Sequence, residues 1–383
     1  MAGSCLPILG AVLLAPVLPK MQDHFGSVAG ANVLVPVALT IPALSLALLA
    51  PFAGVVIDRL GRKRLLIAAC VLYSLCGTAP LWLDSLGAIV ASRALVGVCE
   101  AAIMTCCTTL IGDYYTGRTR DRYLALQTVC TTASATVFFI LGGAIGSSGW
   151  RAPFWLYAAG LLLAPAMAAF LPRPTSAEVA ETGEAPGGEA RCFPVRKMAV
   201  VCVLAVFGAI VFYTVPVETA YLLDDLGVKS TGVIGLATAL ASAATMAGCL
   251  VFAKLTGRPE RRLPAIFALC AAGFAVMSLA GTPAVLIAGA ALNCVGTGLL
   301  LPSLVTWAMS RLEYADRGRG TGLFMTAFFF GQFVCPLILI AVESAVGSLA
   351  AAVGLLGLAT VVVAAGAWPA LRRSVAMSES PQS

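Results

Sequence analysis

The sequence predicts an all-α membrane protein of twelve transmembrane helices arranged as two pseudo-symmetric six-helix bundles, and three observations carry that expectation. Hydrophobic residues make up 60% of the 383-residue chain and charged residues only 11%, against about 25% charged in soluble domains. Apolar runs recur along the whole chain, each long enough to cross a hydrocarbon core of ~30 Å as a helix. The basic residues between the runs alternate sharply from one loop to the next, the pattern that orients spans in a bilayer.

In chain order the runs fall near 4–22, 31–56, 65–83, 87–111, 122–146, 152–171, 198–222, 231–256, 263–281, 284–309, 319–342 and 346–370, bounded by charges or turn residues. The first has neither a basic leading segment nor an Ala-x-Ala cleavage pattern, so it reads as a span rather than a signal peptide. Loops on one side, with the C-terminal tail, hold Arg59 to Arg64, Arg118 to Arg122, Arg173 to Lys197, Lys254 to Arg262, Arg311 to Arg319, and Arg372 with Arg373. The other side holds only Lys20, Arg151 and Lys229. This asymmetry predicts an integral protein of the plasma (inner) membrane with both termini cytoplasmic. Residues 172–197, rich in Pro, Gly and Glu, read as a flexible cytoplasmic linker. It separates an N-terminal bundle, 1–171, from a C-terminal bundle, 198–371, and a cytoplasmic tail follows at 372–383. Leu255-Thr-Gly257-Arg258 echoes Leu60-Gly61-Arg62, and Arg317-Gly-Arg319 echoes Arg118-Thr-Arg120, as a duplicated bundle would.

The same composition excludes other classes. The net charge of +6 is spread over loops and forms no continuous basic face, so nucleic acid is not an expected partner. The 13 cysteines sit mostly inside apolar runs without a Cys-x-x-Cys pair and read as small packing residues. His24, the single histidine, cannot supply a histidine-based metal site and is expected in an interfacial loop. No Gly-x-x-x-x-Gly-Lys-Ser/Thr motif is present, so coupling to ATP within this chain is not supported; the chain is not expected to be an enzyme, nor to carry a cofactor or metal.

Between the second and third runs lies a compact basic turn, Gly54-Val-Val-Ile-Asp58-Arg59-Leu-Gly61-Arg62-Lys63-Arg64. Its glycines permit a sharp turn and close helix approach, and Asp58 answers the surrounding bases. The spacing resembles the loop between the second and third helices of the major facilitator superfamily. That resemblance implies a conformational latch at Gly54, Asp58, Arg59, Gly61, Arg62 and Lys63; an ordinary positive-inside loop would supply bases without fixing the glycines and the acid. In the first run, Leu9-Gly10 followed by Pro16-Val17-Leu18-Pro19 resembles a pattern of the twelve-span drug:proton antiporter group. Gly10, Pro16 and Pro19 are therefore candidates, the prolines because they remove backbone donors and bend a helix or end it.

The fourth run carries Arg93, Gly97 and Glu100 in the order Ser-Arg-Ala-Leu-Val-Gly-Val-Cys-Glu. It resembles the superfamily's fourth-helix motif, with Val96 where a glutamine is common, and the resemblance links the arginine to proton coupling. A buried Arg93 needs a partner or a watered cavity; the alternative is snorkelling to the surface. Glu100 lies about 10 Å further along the same face and reads either as a proton carrier or as a neutral acid bonded to a neighbouring helix. Glu218, beside Pro216, is the second acid to consider. In the fifth run Phe138-Phe139 stand before Gly142-Gly143, where the antiporter signature of the family has Gly-Pro. Gln127 and Thr131 there, with Asn293 and Gln332 in later runs, suit a substrate cavity or helix packing.

These features predict a monomeric secondary transporter that moves a small organic molecule by alternating access within the lipid bilayer. Proton-coupled efflux is the first reading and proton-coupled uptake symport the alternative, with a non-transporting scaffold or sensor as the rival from another class.

Overall fold

The structure, a computed structural model, describes residues 1–52, 61–171, 195–255, 262–310, 312 and 317–378. Twelve helical spans are seen among them: α1, formed by Ala2–Val12 and Leu18–His24 joined through a 3-10 turn at Ala15–Val17; α2 (Ala31–Leu49); α3 (Arg62–Thr78); α4 (Leu86–Tyr114); α5 (Gly117–Gly146); α6, a 3-10 segment Ala152–Ala158 running into Ala159–Phe170; α7 (Val195–Asp225); α8 (Thr231–Lys254); α9 (Leu263–Ser278); α10 (Pro283–Ser310); α11 (Arg317–Val346); and α12 (Leu349–Ser378). Eleven of them have the length and apolarity to cross a membrane, and α9, at 16 residues, is the shorter one.

The apolar limits seen in the sequence and the helix limits differ in both directions: α3 and α9 end short of their apolar runs, at Thr78 and Ser278, and others extend past theirs. Helices α4, α5, α7, α11 and α12 run beyond their apolar runs at one or both ends, because backbone hydrogen bonding continues into the interfacial region where polar side chains are solvated. Helix α12 thus reaches Ser378, into the stretch expected as tail. Glycine punctuates two starts: Gly30 before α2 has φ 78° and Gly61 before α3 has φ 81°, a left-handed conformation that costs glycine little.

Helix α1 breaks where its prolines predict. Leu13 N closes the last turn onto Leu9 O at 3.1 Å, and Pro16 has no N–H to offer Val12 O. The chain then tightens to a 3-10 turn, with Val17 N on Leu14 O at 3.0 Å, before Leu18–His24 resumes α geometry.

Two apolar cores form, one chiefly from α1 to α6 and one chiefly from α7 to α12. The halves meet along α2 against α11 and α5 against α8. The α5–α8 seam has a single antiparallel register through Gly146 beside Thr231, Gly143 beside Gly235, and Thr136 Oγ1 bonded to Ser242 Oγ at 3.0 Å. Gly143 and Gly235 cross backbone to backbone: a Cβ added at Gly143 would lie 2.7 Å from Gly235 Cα, and one at Gly235 would lie 2.6 Å from Phe139 O. Among the described residues, the buried positions of α5 all fall between Phe139 and Gly146. The seam is therefore closed toward the charge-poor end of the molecule, the end of Lys20, Arg151 and Lys229.

Candidate functional site

Arg93 is fully buried, two turns inside α4, and it points inward. The snorkelling alternative is thereby corrected: all three donor positions of the guanidinium are used within the bundle. Nε donates to Ala38 O of α2 at 3.1 Å, Nη2 to Gly10 O of α1 at 2.6 Å, and Nη1 to the Tyr157 hydroxyl of α6. The guanidinium carbon also lies 5.2 Å from the Tyr157 ring centroid, within the range of a cation–π contact. A buried charge is tolerable only when so surrounded.

Small residues bring these partners within reach. Gly97 lets α4 press against α2, since a Cβ there would lie 2.5 Å from Pro42 Cα, and Ser45 Oγ donates to Ala94 O at 2.9 Å along the same contact. On the other side, Gly77 of α3 lies under the Tyr157 ring, and Ser74 Oγ donates to Tyr157 O at 2.7 Å. Tyr73 packs on Tyr157 with ring centroids 5.2 Å apart and donates to Leu6 O at 2.6 Å.

Glu100 follows on the same face, 1% exposed, with Oε1 lacking any hydrogen-bond partner. Its carboxyl group lies against the bare Cα of Gly10, where an added Cβ would collide with Oε1. Gly10 thus touches both candidates, presenting its carbonyl to Arg93 and its Cα to Glu100. From the C-terminal half, Tyr213 of α7 donates to Ala11 O at 2.7 Å.

Glu218 lies one half away on α7, 5% exposed, among Tyr221, whose buried hydroxyl lacks a partner, and Glu343 of α11. It is not joined to the Arg93 cluster by any described hydrogen bond. At the charge-poor surface, Lys229 Nζ donates to Asp224 Oδ2 at 2.6 Å. That bond raises the ammonium's pKa above its ordinary value, with Asp23 of the other half adding to the effect.

The remaining candidates are dispersed. Gly54, Asp58 and Arg59 lie outside the described residues. Arg62 pairs with Asp113 at the end of α4, and Lys63 Nζ donates to Ala168 O at 2.9 Å and to Leu171 O, capping the C-terminus of α6 with a cation. Gln127 bridges three helices through Ser4 Oγ at 2.8 Å and Thr108 Oγ1 at 3.4 Å. Thr131 bonds back to Thr128 O of its own helix at 2.9 Å. Asn293 is fully buried and donates to Cys270 O at 3.0 Å across the α9–α10 seam, with its Oδ1 buried and without a hydrogen-bond partner. Gln332 is buried on α11.

Sequence reasoning missed Tyr73, Tyr157, Tyr213 and Asp113. Asp113 had a visible signal, an acid one turn before a basic loop; the tyrosines had only their polar tips inside apolar runs.

Comparison with known proteins places this architecture. The family model described as Major Facilitator Superfamily matches residues 1–336. "Multidrug resistance protein 2" of Bacillus subtilis is 30% identical over 170 residues, 43% of this chain and 40% of that protein. "Efflux pump dotC" of Dothistroma septosporum is 28% identical over 152 residues, 39% of this chain and 26% of that protein. The matched stretches thus span less than half the length of these relatives. Among solved structures, a bacterial homologue of the human lysosomal transporter Spinster, inward-facing and occupied, aligns over 97% of this chain and 96% of that one with a TM-score of 0.74 and 15% identity. A D-xylose-proton symporter aligns over 96% and 95% with a TM-score of 0.76 and 14% identity. The fold is theirs, and the chain belongs to the Major Facilitator Superfamily.

Proposed function

We propose that this membrane transporter exports a small organic molecule in exchange for protons, by alternating access between its two six-helix halves. The observation that carries the coupling is Glu100: a carboxyl group 1% exposed inside the bundle, with Oε1 unpartnered and Arg93 held on the same helix face. Leaving such an oxygen without a partner is costly while the group is charged, and a proton removes the charge. Proton occupancy and conformation are then linked, since each state of the molecule hydrates the site differently.

Export is supported by two partly matching relatives, an efflux pump and a multidrug resistance protein. One observation favours the second reading, uptake by proton symport: Phe138-Phe139 occupy the place of the Gly-Pro bend in the antiporter signature. Within either reading the basic face is cytoplasmic, the protein is a monomer of the plasma membrane, and the bundles divide at 172–197. The α5–α8 seam closed at the charge-poor end then corresponds to a state open toward the cytoplasm.

The test is transport in proteoliposomes with an imposed pH gradient, substrates being found by ligand-induced stabilisation of the purified protein. Proton and substrate fluxes in opposite directions support export, and parallel fluxes support the second reading. In Glu100→Gln the amide keeps the shape but cannot ionise, so substrate still binds and its movement no longer follows the pH gradient. Full proton-driven transport by Glu100→Gln would remove Glu100 from the coupling and leave Glu218 as the acid to examine.

A further inference from the structure

The break in α1 leaves carbonyls that the backbone does not serve. A helix ends with orphan C=O groups, and inside a membrane each must find a donor. Leu9 O receives Leu13 N. The next two carbonyls, Gly10 O and Ala11 O, are taken by side chains: Arg93 Nη2 of α4 at 2.6 Å and the Tyr213 hydroxyl of α7 at 2.7 Å. The two donors come from opposite halves of the molecule. The carbonyl end of a helix carries partial negative charge, which suits a guanidinium and a hydroxyl donor side by side. Neighbouring carbonyls thus bind the N-terminal half's charged cluster and the C-terminal half to one break.

We propose that Tyr213 is a positioning residue for alternating access, its hydroxyl holding the broken end of α1 to the C-terminal half in the state closed at the charge-poor side. Tyr213 is 3% exposed, so water does not replace the bond while this state lasts. The ring fixes the hydroxyl's height on α7, and Thr214, the next residue, bonds only within the C-terminal half, to Ile210 O at 2.8 Å and with Cys335 Sγ of α11 at 3.5 Å. When the halves part, Ala11 O loses its donor from α7 and is left to the water that enters. The bond therefore favours one conformation over the other without touching substrate. It rests on the reading of the chain as an alternating-access transporter, and it adds the residue through which the C-terminal half senses the first span.

The experiment measures conformation directly and needs no substrate. Spin labels carried by non-natural amino acids at Ser148 and Ser230, both exposed at the charge-poor end and on opposite halves, report the distance across that end in the full-length protein in nanodiscs. Tyr213→Phe keeps the ring and drops the hydroxyl. The expected result is a roughly fivefold shift of population toward the longer distance, the factor that the loss of one net hydrogen bond gives. Thr214→Val removes a hydroxyl whose partners, Ile210 O and Cys335 Sγ, both lie in the C-terminal half, and leaves the distribution as in the parent. Tyr213→Leu, also lacking the hydroxyl, shifts the population in the same direction and serves if the phenylalanine variant is not recovered. A parental distribution in the Tyr213 variants, or an equal shift in Thr214→Val, overturns the assignment. Absence of substrate flux in the parent would count against the transport reading instead, and the distances would still decide the role of Tyr213.

Discussion

At the scale of single residues, the centre of the molecule is a charge held by geometry rather than by an opposite charge. Arg93 uses Nε, Nη1 and Nη2 on three different helices, and a lysine ammonium cannot reproduce that planar fork. Arg93→Lys is therefore expected to leave at least one of the acceptors Ala38 O, Gly10 O and Tyr157 Oη without its donor, at about 1–3 kcal/mol for each buried group so abandoned. Transport should fall more than about tenfold, with a lower melting temperature in detergent, the factor corresponding to ~1.4 kcal/mol or more. Parental transport by Arg93→Lys would show that the position needs only a cation. The arginine itself was legible in the sequence, because a charge inside an apolar run is rare enough to stand out. Its partners were not. Two of the acceptors are backbone carbonyls, and Tyr157 is an amphipathic ring of a kind that also serves as an interfacial anchor. Asn293 shows the converse, since an amide in an apolar run reads the same whether it faces a cavity or ties two helices together.

At the scale of elements, proline and glycine decide where helices bend and where they touch. The α1 break could be read from Pro16 and Pro19, because the missing donors are a property of the residues themselves. The α5–α8 seam could not, because Gly143 and Gly235 are far apart in sequence and either could have faced lipid. Gly143→Val should separate the two helices: its Cβ would lie 2.5 Å from Thr231 O and 2.7 Å from Gly235 Cα. Overpacking of this kind costs about 1–3 kcal/mol, directed entirely against the closed state. The expected outcome is transport reduced about tenfold or more at normal expression, while Ala144→Val, at an exposed neighbour, transports like the parent. Equal behaviour of the two variants in a flux assay would show that the seam is not part of the cycle.

At the scale of the whole molecule, the alternation of basic loops predicts the orientation of every span at once. Reporter fusions or cysteine-accessibility mapping should find 172–197 and both termini on the cytoplasmic side and 147–151 on the other. A reporter at Pro186 that is active only outside the cell would reverse the arrangement. The number and order of spans were legible because lipid offers the backbone no hydrogen-bond partners, so each crossing must be written as a long apolar run. How the halves lean on each other was not, since that depends on a few close approaches and cross-half hydrogen bonds. One of those approaches bears on speed. Where Gly143 meets Gly235 the contact is made by backbone alone, so parting it requires no side chain to change rotamer. If the halves part in a transport cycle, little resistance is expected from that crossing, and the contacts that must break beside it are the hydrogen bonds of Thr136 to Ser242 and Tyr213 to Ala11.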